Sequence, residues 1–244
     1  METLYDRIGR DYANVRKPDA RIAQAIWRAL GDSGSVVNVG AGTGSYEPRD
    51  RQVVAVETSM TMIAQRPAES APVVQASAVS LPFTNDSFDA GLAILTVHHW
   101  PDRMRGLLEL RRVSRHRVVV LTWDPASPGF WLTDYFPEIL DIDRPLFPAI
   151  SDFERALGPA TVETIPIRHD CTDGFLGAYW RRPDAYLDER VRGAISTFSK
   201  IADIGPALDR LRTDLESGAW PRKYGGLLKR TQLDLGYRLI VADV

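Results

Sequence analysis

Ser35-Val-Val-Asn-Val-Gly40-Ala-Gly-Thr-Gly44 is followed, after a short polar stretch, by Gln52-Val-Val-Ala-Val-Glu57. Two β-branched runs without polar alternation read as strands buried on both faces, the pattern of a parallel sheet. The first run leads into alternate glycines, so the chain turns sharply where it leaves the sheet. Further strands are expected at 72–75, 89–97 and 117–122, with a sixth at 160–167 and a seventh at 236–242. Residues 19–30 place Ile22, Ile26 and Leu30 four apart, between Asp19 as N-cap and Gly31 as a stop, and predict an amphipathic helix. Residues 102–113, 184–199 and 206–217 also read as helical. Helices alternating with buried strands predict an α/β, doubly wound sheet.

The 244 residues carry a net charge of −2, without the basic excess that phosphate-backbone binding needs, so nucleic acid is not an expected partner. Cys171 is the single cysteine and can form neither an internal disulfide nor an iron–sulfur cradle. No apolar run approaches ~18 residues and the N-terminus is charged, which predicts a cytoplasmic protein without a membrane partner. Half of the 22 aromatic residues fall between Trp123 and Tyr186. Residues 125–150 hold five prolines and leave the carboxyl end of the fifth strand, where open α/β sheets bind ligands. This segment reads as a lid, expected to be more mobile than the sheet in the free protein. The expected organisation is a core over 1–124 with an N-terminal helical cover, and lid or substrate segments plus the last strands over 125–244, all in one domain.

The glycine spacing differs from G-x-G-x-x-G: the third glycine comes one residue early, so a dinucleotide pyrophosphate is not the implied ligand. Glu57 closes the second strand, where a carboxylate can accept from both hydroxyls of a ribose. The third strand ends in Gln75-Ala76-Ser77-Ala78, followed by Leu81-Pro82-Phe83 and Ser87-Phe88-Asp89. Together with the opening Tyr5-Asp6-Arg7-Ile8-Gly9-Arg10-Asp11-Tyr12, these pieces resemble the class I S-adenosylmethionine-dependent methyltransferases, in their small-molecule branch. The resemblance implies a Rossmann-like, seven-stranded, mostly parallel sheet under a helical, aromatic-rich lid. It implies S-adenosyl-L-methionine as cofactor, with S-adenosyl-L-homocysteine as product. Gly40, Gly42 and Gly44 would admit the methionine part, Glu57 would hold the ribose, and Ser77 and Ala78 would border the adenine. Tyr12 and Arg16 lie where such proteins close over the cofactor, Arg16 being suited to a carboxylate.

Three departures from the family pattern stand out. Asn38 and Ser77 replace expected aspartates, which predicts weaker cofactor binding. The stretch Ser45–Asp50 contains Pro48 and leaves room for little more than one helical turn.

On the acceptor side, Thr96-Val97-His98-His99-Trp100-Pro101-Asp102 lies at the carboxyl end of the fourth strand. Strand alternation would turn Thr96 and His98 to the cleft and His99 away. His98 matches the histidine that serves as base in similar small-molecule O-methyltransferases, and is the candidate catalytic residue. No metal site is expected, because His169 and Cys171 have no zinc-like spacing to these histidines. The basic run Arg111–Arg117 reads as solvated surface. Trp123, Phe130, Trp131, Tyr135, Phe136, Phe147, Tyr179 and Trp180 are candidate pocket walls, with Arg181, Arg182 or His169 available for an anion. The expected acceptor is a hydrophobic or aromatic small molecule, methylated on oxygen or nitrogen in natural-product metabolism. The alternative reading is an S-adenosylmethionine-binding regulatory module without turnover.

Overall fold

Neighbouring valines of the central strand go to opposite cores. Val36 of β1 (Ser35–Val39) packs with Ile22, Ile26 and Leu30 around α1 (Ala20–Ala29). Val37 packs on the other face with Leu107, Leu110 and Val113 of α3 (Arg103–Val113) and with Phe153 and Leu157 of α5 (Ile150–Leu157). A strand covered on both sides needs no polar face, hence the unbroken apolar runs. Each fully buried Ile or Leu contributes roughly 1.5–3 kcal/mol. The computed structural model describes residues 15–244; the opening through Tyr12 lies outside the described residues.

The main sheet adds β2 (Gln52–Glu57), β3 (Val73–Gln75), β4 (Phe88–Ile94), β5 (Ser114–Trp123), β6 (Ala160–Thr164) and β9 (Tyr237–Asp243). Its order is β3-β2-β1-β4-β5-β9-β6. The first five strands are parallel, and β9 runs antiparallel to both β5 and β6. Strand order reverses beside β1, so the carboxyl ends of β1 and β4 open a crevice there. Two short strands, β7 (Ile167–Arg168) and β8 (Gln232–Leu233), form a separate ribbon. The expected sixth strand therefore stops three residues early and the chain re-pairs elsewhere. Among the described residues no helix is long and apolar enough to cross a membrane.

The Asp19 carboxylate caps α1 by accepting from Arg21 N at 3.0 Å, as expected. Three other expectations change. No helix forms between β1 and β2. Tyr46 instead takes a positive φ of 68° and its carbonyl accepts from Trp27 Nε1 of α1 at 2.9 Å. β4 ends at Ile94, because Leu95 turns to φ 49° and residues Val97–His99 form a single 3-10 turn. Val97 in that turn is buried like a strand residue, which is why the run reads as strand to 97. The 184–199 stretch breaks into a 3-10 turn at Pro183–Leu187 and the short helix α6 (Glu189–Gly193).

After β5 the chain builds a helical cover. It comprises a 3-10 turn at Trp131–Asp134, α4 (Glu138–Asp143), α6, α7 (Gly205–Glu216) and α8 (Ala219–Tyr224). A third core fills it, centred on Trp131, Phe136, Tyr186, Phe198 and Trp220. Trp131 meets Tyr186 and Trp220 edge-on at 5.5 and 5.2 Å, and its indole Nε1 donates to Trp180 O. The expected lid is thus a packed aromatic layer in which Trp131, Tyr135 and Phe136 are core rather than pocket wall.

Candidate active site

The register Val39↔Val56 between β1 and β2 sets the glycine loop beside Glu57. Gly40 N and Ala41 N both donate to Val56 O, at 2.8 and 3.0 Å, so the loop folds onto the end of β2. Gly40 has φ +71°, and a Cβ there would lie 2.0 Å from Thr96 Oγ1 after β4. Only glycine fits. Gly42, at φ +53°, donates its N–H to Glu57 Oε2 at 2.8 Å. Glu57 Oε1 accepts from Thr58 N and Ser59 N, each at 2.8 Å. The Thr58 hydroxyl also donates to Oε1, at 3.4 Å, so this carboxylate, which is 8% exposed, is oriented through Oε1, while Oε2 takes one donor among the described residues and keeps an acceptor position open.

Together they wall a cleft of about 190 Å³ that also includes Arg16, Asn38, Ser77, Ala78 and His99. Gly44 lies behind it, where a Cβ would meet Arg66 and Glu47. Asn38 Nδ2 donates to Glu47 Oε1 at 3.2 Å, and Glu47 forms a buried ion pair with Arg66 at 2.9 Å. Arg66 Nη1 in turn donates to Gly42 O at 3.1 Å. An acid therefore stands beside Asn38 and reaches the loop through an arginine. Arg16 is held by Asp173, with Nε 2.6 Å from Oδ1, and Tyr46 Oη donates to Asp173 Oδ2 at 2.7 Å.

A second cavity of about 70 Å³ adjoins the cleft and shares Arg16 and Leu95 with it. His98, Trp123, Phe147 and Asp143 line it. The two histidines therefore divide differently from strand alternation: on the 3-10 turn His99 faces the larger cleft and His98 the smaller cavity. Their rings touch at 3.8 Å, and Phe147 stacks on His98 at 3.9 Å and 20°. Burial pushes His98 well below the ordinary histidine range, aided by His99, Lys200 and Arg16. Burial and the same two cations bring His99 down to about 3. Both imidazoles are neutral at pH 7. His98 Nδ1 is shielded from solvent and has no hydrogen-bond partner among the described residues. Burial also pushes the Asp143 carboxyl up to about 6, against the pull of the Thr197 hydroxyl and of Lys200.

The methyltransferase domain family model matches residues 37–121, the span from β1 to β5. A protein of Anabaena variabilis ATCC 29413, described as a methyltransferase from an antibiotic biosynthesis pathway, is 31% identical. Its crystal structure superposes with TM-score 0.87 over 94% of this chain and 99% of that one. The chain belongs to the class I S-adenosylmethionine-dependent methyltransferases. A curated relative, 2-methyl-6-phytyl-1,4-hydroquinone methyltransferase 2 of Oryza sativa subsp. japonica, is 30% identical over 115 residues, 43% of this chain. The match covers 33% of that relative, so the chain spans about a third of the length of the plant hydroquinone methyltransferases it matches. The geranyl diphosphate C-methyltransferase of Streptomyces coelicolor A3(2), 15% identical, shares the fold at TM-score 0.53 over 92% of this chain and 78% of its own.

The cleft of this methyltransferase fits the family's methyl donor, S-adenosylmethionine. An oriented carboxylate with a free acceptor position faces it, and a glycine loop makes room that side chains would fill. The loop amides of Gly40, Ala41, Gly42 and Gly44 are already donated within the protein, so these glycines contribute space rather than hydrogen bonds to a ligand. Met62 of α2 (Met60–Ala64) also lines the cleft, and the helix is capped by Ser59 Oγ accepting from Met62 N at 3.2 Å. That cap, two residues beyond Glu57, was the signal that could have pointed to Met62. Among the expected pocket aromatics, Trp123 and Phe147 reach the smaller cavity, whereas Trp180 is in the core. Arg182 is occupied by Cys171 O and Ala178 O, and Arg181 by Arg230 O.

Proposed function

We propose that the protein transfers a methyl group from S-adenosylmethionine to the oxygen or nitrogen of an apolar or aromatic small molecule, in natural-product metabolism. The observation that carries this reading is the adjacency of two cavities separated by one 3-10 turn. The larger holds the glycine loop and Glu57, and the smaller has aromatic walls and His98. When bound, the donor supplies a methyl carbon already activated by a sulfonium sulfur. The protein's own task is then to align the acceptor and keep water out. Gly40 and Gly42 give the donor room, Glu57 accepts from its ribose, Ser77 and Ala78 flank its adenine, and Gly44 supports the loop from behind. Arg16 stands at the boundary between donor and acceptor. His98, neutral and with Nδ1 uncommitted, is the catalytic contact to the acceptor heteroatom. The hydroquinone and antibiotic-pathway relatives support an aromatic or secondary-metabolite acceptor.

Calorimetric titration with S-adenosylhomocysteine and with NAD tests the donor side. One site per chain for the former and none for the latter is the expected result. Binding of NAD in preference to S-adenosylhomocysteine would overturn the reading.

A further inference from the structure

The smaller cavity has one carboxyl among the described residues that line it, and the sheet does not supply it. Asp143 ends α4 and is 6% exposed. Its two oxygens lie 2.9 and 3.0 Å from the same atom, Thr197 Oγ1. One hydroxyl proton cannot serve both, so the carboxylate keeps acceptor capacity unused. Its backbone oxygen accepts from Leu146 N and Phe147 N, and this turn lays Phe147 on His98. A single turn thus delivers an acid and an aromatic wall to the same cavity. Burying a carboxylate with so little compensation is costly, and such groups concentrate at functional sites.

We propose that Asp143 binds and deprotonates the acceptor, and that the acceptor is a flat, apolar small molecule whose nucleophilic oxygen or nitrogen carries a proton. The inference rests on the reading of this cavity as the acceptor site. The heteroatom's lone pair forms the new bond to the methyl carbon. The methyl–sulfur bond breaks with its electron pair left on sulfur, and the heteroatom's proton moves to an Asp143 carboxylate oxygen. One positive and one negative charge are cancelled, a change favoured where water is excluded. His98 is the poorer base, because protonation would add a charge beside Lys200 and Arg16. With its carboxyl pushed up to about 6, Asp143 is ionised at neutral pH yet close enough to accept a proton.

The test assays S-adenosylmethionine turnover on 1-naphthol, 4-nitrophenol, tyramine and aniline, with S-adenosylhomocysteine calorimetry in parallel. At least one probe should be methylated on oxygen or nitrogen. Asp143→Asn should lower kcat by about 10²–10⁴-fold with S-adenosylhomocysteine affinity unchanged. Wild-type kcat/KM should fall as pH drops below about 6, and this limb should be absent from Asp143→Asn. Thr197→Val should move the limb to higher pH, since it removes a hydrogen bond to the ionised form. Among the described residues, Lys200, Arg16, His98 and Tyr237 are the other titratable or charged groups around Asp143, and none is altered in these variants. Turnover of Asp143→Asn within threefold of wild type, or an unchanged acid limb, would overturn the proposal. So would methylation at carbon, or no turnover of any probe by protein that binds S-adenosylhomocysteine. Failure of the wild type to bind S-adenosylhomocysteine would overturn the donor reading and this proposal with it.

Discussion

The larger cleft and the smaller cavity differ in how far apart their walls lie in the chain. Apart from Arg16, the cleft is assembled from residues 38–101, all at or just beyond the carboxyl ends of β1 to β4. The cavity draws His98 from beyond β4, Trp123 from β5, Asp143 and Phe147 from the helical cover, Phe175 from a loop, Thr197 from beyond α6 and Tyr237 from β9. The strand ends and the short turns that follow them build most of the first. The second exists only when the helical cover packs on the sheet. This separation implies that the cover can be weakened without disturbing the larger cleft, and that the smaller cavity depends on long-range packing.

The largest expected effect breaks the cover directly. Trp131 is 4% exposed and stands at the centre of the aromatic layer. Trp131→Ala should cost about 3–5 kcal/mol of stability, measured by chemical denaturation. If the two regions are built separately, S-adenosylhomocysteine affinity at 15 °C should stay within about threefold of wild type. A loss tenfold or greater in folded protein would join the two regions energetically and end the comparison.

The next effect sharpens it through pH. Burial pushes Asp143 from 3.8 up to about 6. Below pH 4 both folded and unfolded chains hold the proton; between 4 and 6 the folded chain binds more. Stability must therefore fall as pH rises through this interval, by up to about 3 kcal/mol from this group. Asp143→Asn lacks that loss. Relative to its difference from wild type at pH 4, it should gain stability by pH 8, as read by thermal melting. A variant whose stability tracks wild type across the interval would show that the carboxyl is not perturbed by burial.

How much was legible follows the same division. The five parallel strands, the helix at 19–30 and the wall formed by Gly40, Gly42, Glu57, Ser77 and Ala78 could be read, because strand-end residues are fixed by local pattern and register. Where reading failed, local pattern was overruled by packing. The run from Leu95 to Val97 is as apolar as a strand, but the chain turns there, which reassigned His98 and His99 to neighbouring cavities. Asn38 donates to an acid that local pattern does not reveal: Glu47 lies nine residues on, paired with Arg66 from beyond α2. Asp143 sits in an unremarkable acidic stretch. Its proposed role rests on its contact with Thr197, and nothing in local spacing joins the two.

Glu57 links the legible half of the molecule to its function, and titration of the wild type and Glu57→Ala with S-adenosylhomocysteine tests that link most directly. One site per wild-type chain is expected. The variant should bind with about 1.5–3 kcal/mol less free energy, the contribution of a hydrogen bond to a charged group. That is roughly 10- to 150-fold weaker. Equal affinity in the two proteins, with both folded, would move the donor away from Glu57 and the glycine loop.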